Sequence, residues 1–207
     1  MLADCNGALG VLGGLQESLP PGQRIGLAYV DAQGDYNTPE TTSSSMLGGM
    51  PVAVAAGKCL QRLRRQNRLK TPLEFQDIVL AGLRDLEAVE RAAIIEDKIM
   101  TLSERDLTKR TPNLRAAMDA VCSRTAAVYV HVDLDILDPS LAPAAGLPAP
   151  GGLSGEELGL ALGTMLEYHK VAAFSVVSYN ADRDADGHTL QEVMKAVLIA
   201  LPAVASR

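Results

Sequence analysis

Two short acidic segments hold the side chains best suited to chemistry. The first is Asp31-Ala32-Gln33-Gly34-Asp35, and about a hundred residues later comes His131-Val132-Asp133-Leu134-Asp135. In each, the polar residues stand two apart, so on an extended strand Asp31, Gln33 and Asp35 share one face, as do His131, Asp133 and Asp135. Carboxylates gathered at the end of a buried strand repel one another and lose hydration, and a divalent cation is the simplest compensation. Four Asp side chains, an amide and an imidazole suit manganese, magnesium, nickel or iron better than metals that seek thiolates. Two such clusters on neighbouring strands would permit hydrolysis assisted by two metal ions. A single Asp after a strand is commonly a turn former or helix cap, a reading open for Asp31, Asp35 and Asp138. Asp133 and Asp135 fit it less well, because they interrupt the apolar run Tyr-Val-His-Val-Asp-Leu-Asp-Ile-Leu.

Positioning these clusters falls to an alternation of strands and helices. Strands are predicted over 24–30, 77–83, 98–102, 126–134 and 171–179, where apolar and β-branched residues run between breakers such as Pro20-Pro21-Gly22. Helices are predicted over 8–19, 50–65, 87–96, 113–124, 154–169 and 189–203. The entry at Thr111-Pro112 carries N-terminal signals, and Ser154-Gly155-Glu156-Glu157 reads as a capping box. Strands that alternate with helices imply a mostly parallel α/β sheet, and ligands then sit at the strands' C-terminal ends. No composition shift divides the chain, so residues 1–207 are expected to form one domain.

Taken in order, the motifs resemble the ureohydrolase family of arginases, agmatinases and formiminoglutamases. Asp31-Ala32-Gln33-Gly34-Asp35-Tyr36-Asn37-Thr38-Pro39 is similar to that family's Asp-Ala-His-x-Asp-x-Asn-Thr-Pro segment. Asp133-Leu134-Asp135-Ile136-Leu137-Asp138-Pro139 is similar to its D-x-D-x-x-D-P segment. Asp4-Cys5, Gly82-Leu83-Arg84-Asp85 and Pro150-Gly151-Gly152-Leu153 extend the resemblance over nearly the whole chain. It implies a three-layer α/β sandwich, arginase-like, lacking the family's usual N-terminal portion. It also implies one or two divalent ions, manganese first and nickel as the alternative.

As metal ligands the resemblance nominates Asp31, Asp35, Asp133 and Asp135, with Gln33 and Cys5 standing where the family has two histidines. Asp35 becomes a catalytic candidate, as does His131, on its strand parity with Asp133 and Asp135 alone, as a base or a further nitrogen ligand; Asn37 and Glu87 are the substrate-binding ones. Gly48 and Ser178 stand where arginases carry a histidine and the glutamate that meets guanidinium. The implied activity is hydrolysis of a linear amidine or guanidino C–N bond. The alternative is a catalytically impaired homologue acting in binding or assembly.

The remaining features bear on partners. A net charge of −6 without a basic stripe or an aromatic platform argues against nucleic acid. No apolar run reaches the roughly 20 residues of a membrane span. Cys5, Cys59 and Cys122 are odd in number and far apart, which with an N-terminus lacking a leader points to a cytoplasmic location. The short N-terminal side is expected to leave a sheet edge bare, to be covered by a second copy or a partner subunit.

Overall fold

The computed structural model describes residues 4–108 and 112–205, so Thr111 of the predicted helix entry lies outside the described residues. Five apolar runs pair as strands β1 (Ile25–Val30), β2 (Ile78–Ala81), β3 (Met100–Leu102), β4 (Ala127–Asp133) and β5 (Val171–Val177). They form one sheet in the order β3-β2-β1-β4-β5, and every neighbouring pair is parallel. Central β1 and β4 are buried at every residue, as strands covered on both faces must be.

Helices cover both faces. On one lie α1 (Gly7–Ser18), α2 (Pro51–Ala55), α3 (Gln61–Gln66) and α4 (Ala88–Glu96), packed on Leu27, Tyr29, Leu80 and Tyr129. On the other lie α5 (Glu104–Thr108), α6 (Pro112–Arg124), α7 (Gly155–Leu166) and α8 (His188–Ala200), packed on Ala28, Val30, Val130 and Val132; the short α9 (Pro202–Ala205) follows. This is the expected three-layer α/β sandwich. The chain leaves β1 toward β2 over one face and β3 toward β4 over the other, so the crevice between β1 and β4 opens where the winding reverses.

Three elements depart from the sequence reading. The helix predicted over 50–65 is two helices, because Gly57 (φ 79°) and Leu60 (φ 41°) take left-handed backbone between them. A Cβ at Gly57 would lie 2.9 Å from Pro72 Cβ. Helix α5 was not expected, although Asp106 in its first turn reaches back to Ser103, accepting from the Ser103 amide at 2.9 Å and from its hydroxyl at 2.6 Å. The 189–203 helix ends at Ala200, just before Pro202.

The sheet has β5 at one edge. Strand β5 carries neither charge nor proline, and its central residues are half-buried or exposed. Helix α8 adds an exposed apolar stripe of Leu190, Met194, Leu198 and Leu201 at helical spacing. Among the described residues no helix is long and apolar enough to cross a membrane.

Candidate metal centre

The register of β1 against β4 decides what meets at the crevice. Tyr29 lies opposite His131 and Val30 opposite Val132, so the strands give out side by side and Asp31 and Asp133 emerge together. Past β4 the chain turns into a 3₁₀ turn (Leu134–Ile136), and the Asp135 amide donates to Asp133 Oδ1 at 2.9 Å. Asp135 therefore reaches the cleft from a turn rather than from the strand that its parity implied. Its own Oδ1 accepts from the Ala32 amide at 3.3 Å. Asp35 has left-handed backbone (φ 47°), held because its carbonyl accepts the Val52 and Ala53 amides at the start of α2.

These turns bring together Asp31, Asp133 and Asp135 as one group, and Cys5, Asp31 and Asp35 as another. Within each group the ligand atoms lie within 4.8 Å of one another. Asp31 belongs to both. Cys5 Sγ donates to Asp133 Oδ2 at 2.8 Å, Ser178 Oγ donates to the same oxygen, and the Tyr29 hydroxyl donates to Asp35. Burial drives the carboxyls of Asp31, Asp35 and Asp133 above the usual carboxylate range, and mutual repulsion adds to it at Asp31 and Asp35. Burial and the charge of Asp133 push Asp135 up to about 7. Desolvation likewise pushes the Cys5 thiol up and His131 down to about 3.

The other predicted residues fall into place around this core. Gln33, Asn37 and Glu87 line the same cleft of about 800 Å³, with Gly48 and Ser178. Gln33 turns its amide nitrogen to Asp85 at 3.1 Å, Asn37 accepts from Thr41 at 2.8 Å, and Glu87 accepts from Ser43. His131 belongs to neither ligand group. It stands behind Cys5, with Nε2 3.4 Å from the sulfur and Nδ1 2.8 Å from the Tyr129 hydroxyl. Among the described residues the cleft wall contains eight carboxylic ones, Asp4, Asp31, Asp35, Asp85, Glu87, Glu90, Asp133 and Asp135, and no Lys, Arg or His.

Comparison with known proteins decides the family. The arginase family model matches residues 4–201. The chain belongs to the arginase family. It is 33% identical over 184 residues to an arginase of Bacillus caldovelox, an alignment that covers 88% of this chain and 60% of that protein. An arginase of Bacillus subtilis strain 168 is 30% identical over 196 residues, 92% of this chain and 65% of that one. The crystal structure of an arginase from Bacillus cereus superposes with a TM-score of 0.86 at 28% identity, covering 96% of this chain and 68% of its own. The chain thus spans about three fifths of the length of the curated arginases it matches.

Within this arginase-family fold the sequence reading missed several residues that hold the site. Arg84, after β2, donates through its guanidinium to the carbonyls of Asp135, Ala149 (3.3 Å) and Pro150 (3.2 Å), and pairs with Glu104 at 3.3 Å. It ties the acidic turn to the 148–150 loop. Gly82 (φ 94°) lets that turn approach, since a Cβ there would lie 2.1 Å from Ile136 Cδ1. Tyr29, Tyr129 and Ser175 surround His131. The two tyrosines were legible as phenols in buried strands, which need polar partners.

Replacing Arg84 by Met keeps the stem and removes the donors. The expected result is a loss of ~2–4 kcal/mol, because several buried carbonyls lose their partner, and weaker retention of cations. Urea unfolding of the metal-free chain checks the first, and an unchanged midpoint would show that the turn holds itself.

Proposed function

We propose that the cleft is a divalent-cation site at which a linear amidine or guanidino C–N bond is hydrolysed, in keeping with the arginases this chain is similar to. The supporting observation is the wall of eight carboxylic residues without one cationic side chain among the described residues. Such a wall favours a positive occupant, whether a metal ion or an amidinium group. The donor set fits a metal: four buried carboxyls at ligand spacing have too few hydrogen-bond donors to remain charged unaided. Asp31, Asp35, Asp133 and Asp135 would hold it. A cation bound there lowers the pKa of water and polarises the C–N unit.

The chain's own residues do the rest. Asp31 and Asp133 each have one oxygen fixed by a backbone amide, of Gln33 (2.7 Å) and Asp135 (2.9 Å), while the second oxygen of Asp133 meets Cys5 and Ser178 inside the cleft. Ser178 is neutral and already committed to Asp133, which leaves Glu87, Asp85 and Glu90 to meet a substrate cation. Asn37 lines the wall beside them. A screen of guanidino and amidino compounds for urea or ammonia release, after loading with manganese, nickel, cobalt or zinc, tests the reading. Turnover that disappears in Asp31→Asn supports it; no turnover with any pairing of ion and compound would discard it.

A second reading, assembly without catalysis, is favoured by the uncharged β5 edge and the apolar stripe on α8. Edge strands that stay monomeric commonly carry charge, proline or a cover. The occupant we favour is a second copy: β5 carries no charge and the α8 stripe is flanked only by Lys195 and its ion-pair partner Glu192, so a two-fold partner meets little like-charge clash despite a net charge of −6. Sedimentation velocity at micromolar concentration is expected to give a dimer, and Leu198→Glu to shift it to monomer. A wild-type monomer would rule this surface out.

A further inference from the structure

Cys5 differs from the other candidate ligands in softness, and its surroundings differ too. It sits immediately before α1, where the Ala8 amide bonds its carbonyl at 3.1 Å and the positive end of the helix dipole faces it. Its sulfur lies 2.8 Å from Asp133 Oδ2 and 3.9 Å from Asp31 Oδ2. Behind it, His131 is fully buried, stacked on Tyr29 with ring centroids 4.4 Å apart, and linked through Nδ1 to Tyr129, whose hydroxyl meets Ser175. The two hydroxyls can each donate or accept. With Tyr129 donating to Nδ1, the Nε2–H of His131 points at the sulfur 3.4 Å away. A metal-bound ligand needs such an outer partner to fix its orientation.

The opposite half of the site has no equivalent. Asp31, Asp133 and Asp135 offer oxygen alone, and Gln33, whose amide nitrogen donates to Asp85, could add only another oxygen. Affinity for a mixed sulfur and oxygen set rises from manganese toward zinc, and thiolate ligands strengthen that preference.

On the reading that this cleft holds a cation, we propose that Cys5 is its anchoring ligand, so that the resident ion is a single thiophilic one of the zinc or cobalt(II) class, held by Cys5, Asp31, Asp35 and Asp133, with His131 as the positioning residue behind the sulfur. Binding forms a metal–sulfur bond and breaks the S–H bond, whose proton is released to solvent. The one or two manganese ions expected from the resemblance give way to one softer ion.

Cobalt(II) titration of the metal-free chain tests this without any activity measurement. The expected result is one cobalt per chain, a near-ultraviolet sulfur-to-cobalt charge-transfer band, and displacement by zinc at concentrations where manganese displaces none. Cys5→Ser should lose the band and narrow the zinc-over-manganese preference at least ~10-fold, while Cys122→Ser keeps both. His131→Gln should keep the band and weaken cobalt binding ~10–100-fold, the range for loss of an outer partner. Circular dichroism shows that each variant is folded. Cobalt binding without the band would overturn the Cys5 assignment and leave the cation site standing. Two cobalts per chain would overturn the single ion, and no binding of cobalt, zinc or manganese would overturn the site and the assignment together.

Discussion

Asp133→Asn is expected to leave the metal-free chain at least as stable as the wild type while abolishing its response to divalent cations. Asp133 is 4% exposed and sits beside Asp31, Asp135 and Cys5, and burial alone opposes its charge. An asparagine has nearly the same shape. Its carbonyl oxygen still accepts the Asp135 amide, its NH₂ can donate toward Cys5 Sγ, and no charge there repels Asp31, Asp35 and Asp135. In the wild type, a cation at a hundred times its Kd stabilises the folded chain by ~2.7 kcal/mol. In a protein of this size that corresponds to ~5–10 °C in Tm. Loss of a ligand central to the cluster should weaken binding at least ~100-fold, more than is lost with an outer partner. Thermal melts with and without added zinc or manganese read both effects. A variant that still gains several degrees from the ion would remove Asp133 from the ligand set.

The contrast with Asp138 shows why the two acidic positions must be told apart. Asp138 is half-buried at the far end of the same motif, accepts from the Ser140 amide at 2.8 Å and from its hydroxyl, and is held below the usual carboxylate range by those bonds. It is the turn former that the sequence left open for several Asp residues.

Much of the site was legible because strand periodicity and turn chemistry are local. The parity of His131 and Asp133 follows from the two-residue repeat of β4, and the Ser154–Glu157 capping box appears at the start of α7 as read. What parity could not show is which side chains look outward. His131 and Asp133 share a face, yet the strand ends at Asp133, so His131 lies one repeat deeper and meets Cys5 from behind. That contact spans 126 residues of sequence. Arg84 was legible only as part of a motif, because its five carbonyl partners lie on loops whose approach depends on Gly82 and on the tertiary fold. The break between α2 and α3 escaped for a similar reason: helical spacing continues through 50–65, and the left-handed backbone of Gly57, against Pro72, and of Leu60 interrupts it.

The pH dependence of stability should be inverted relative to ordinary carboxylates, and the cation should set it right. A native-state carboxyl below its unfolded pKa adds stability as pH rises. Here the shifts run the other way: Asp135 stands at about 7 when folded against 3.8 in the reference state, and Asp31, Asp35, Asp133 and Glu90 are raised too. Between those values the folded chain binds more protons than the unfolded one, so stability falls as pH rises from about 4 to about 7. His131 opposes this by one proton, because a folded value of about 3 against 6.5 favours the folded state as pH rises toward 6.5. Several carboxyls outweigh one imidazole. A net excess of one bound proton over that interval is worth ~4 kcal/mol, or ~8–16 °C in Tm. Metal-free melts across the range should therefore drop with pH, and Asp135→Asn should flatten the drop. With a saturating cation the carboxylates are charged and compensated, so the Tm increment it confers should grow with pH over the same interval. A metal-free Tm that rises from pH 4 to 7 would mean the cluster is less desolvated than its geometry requires.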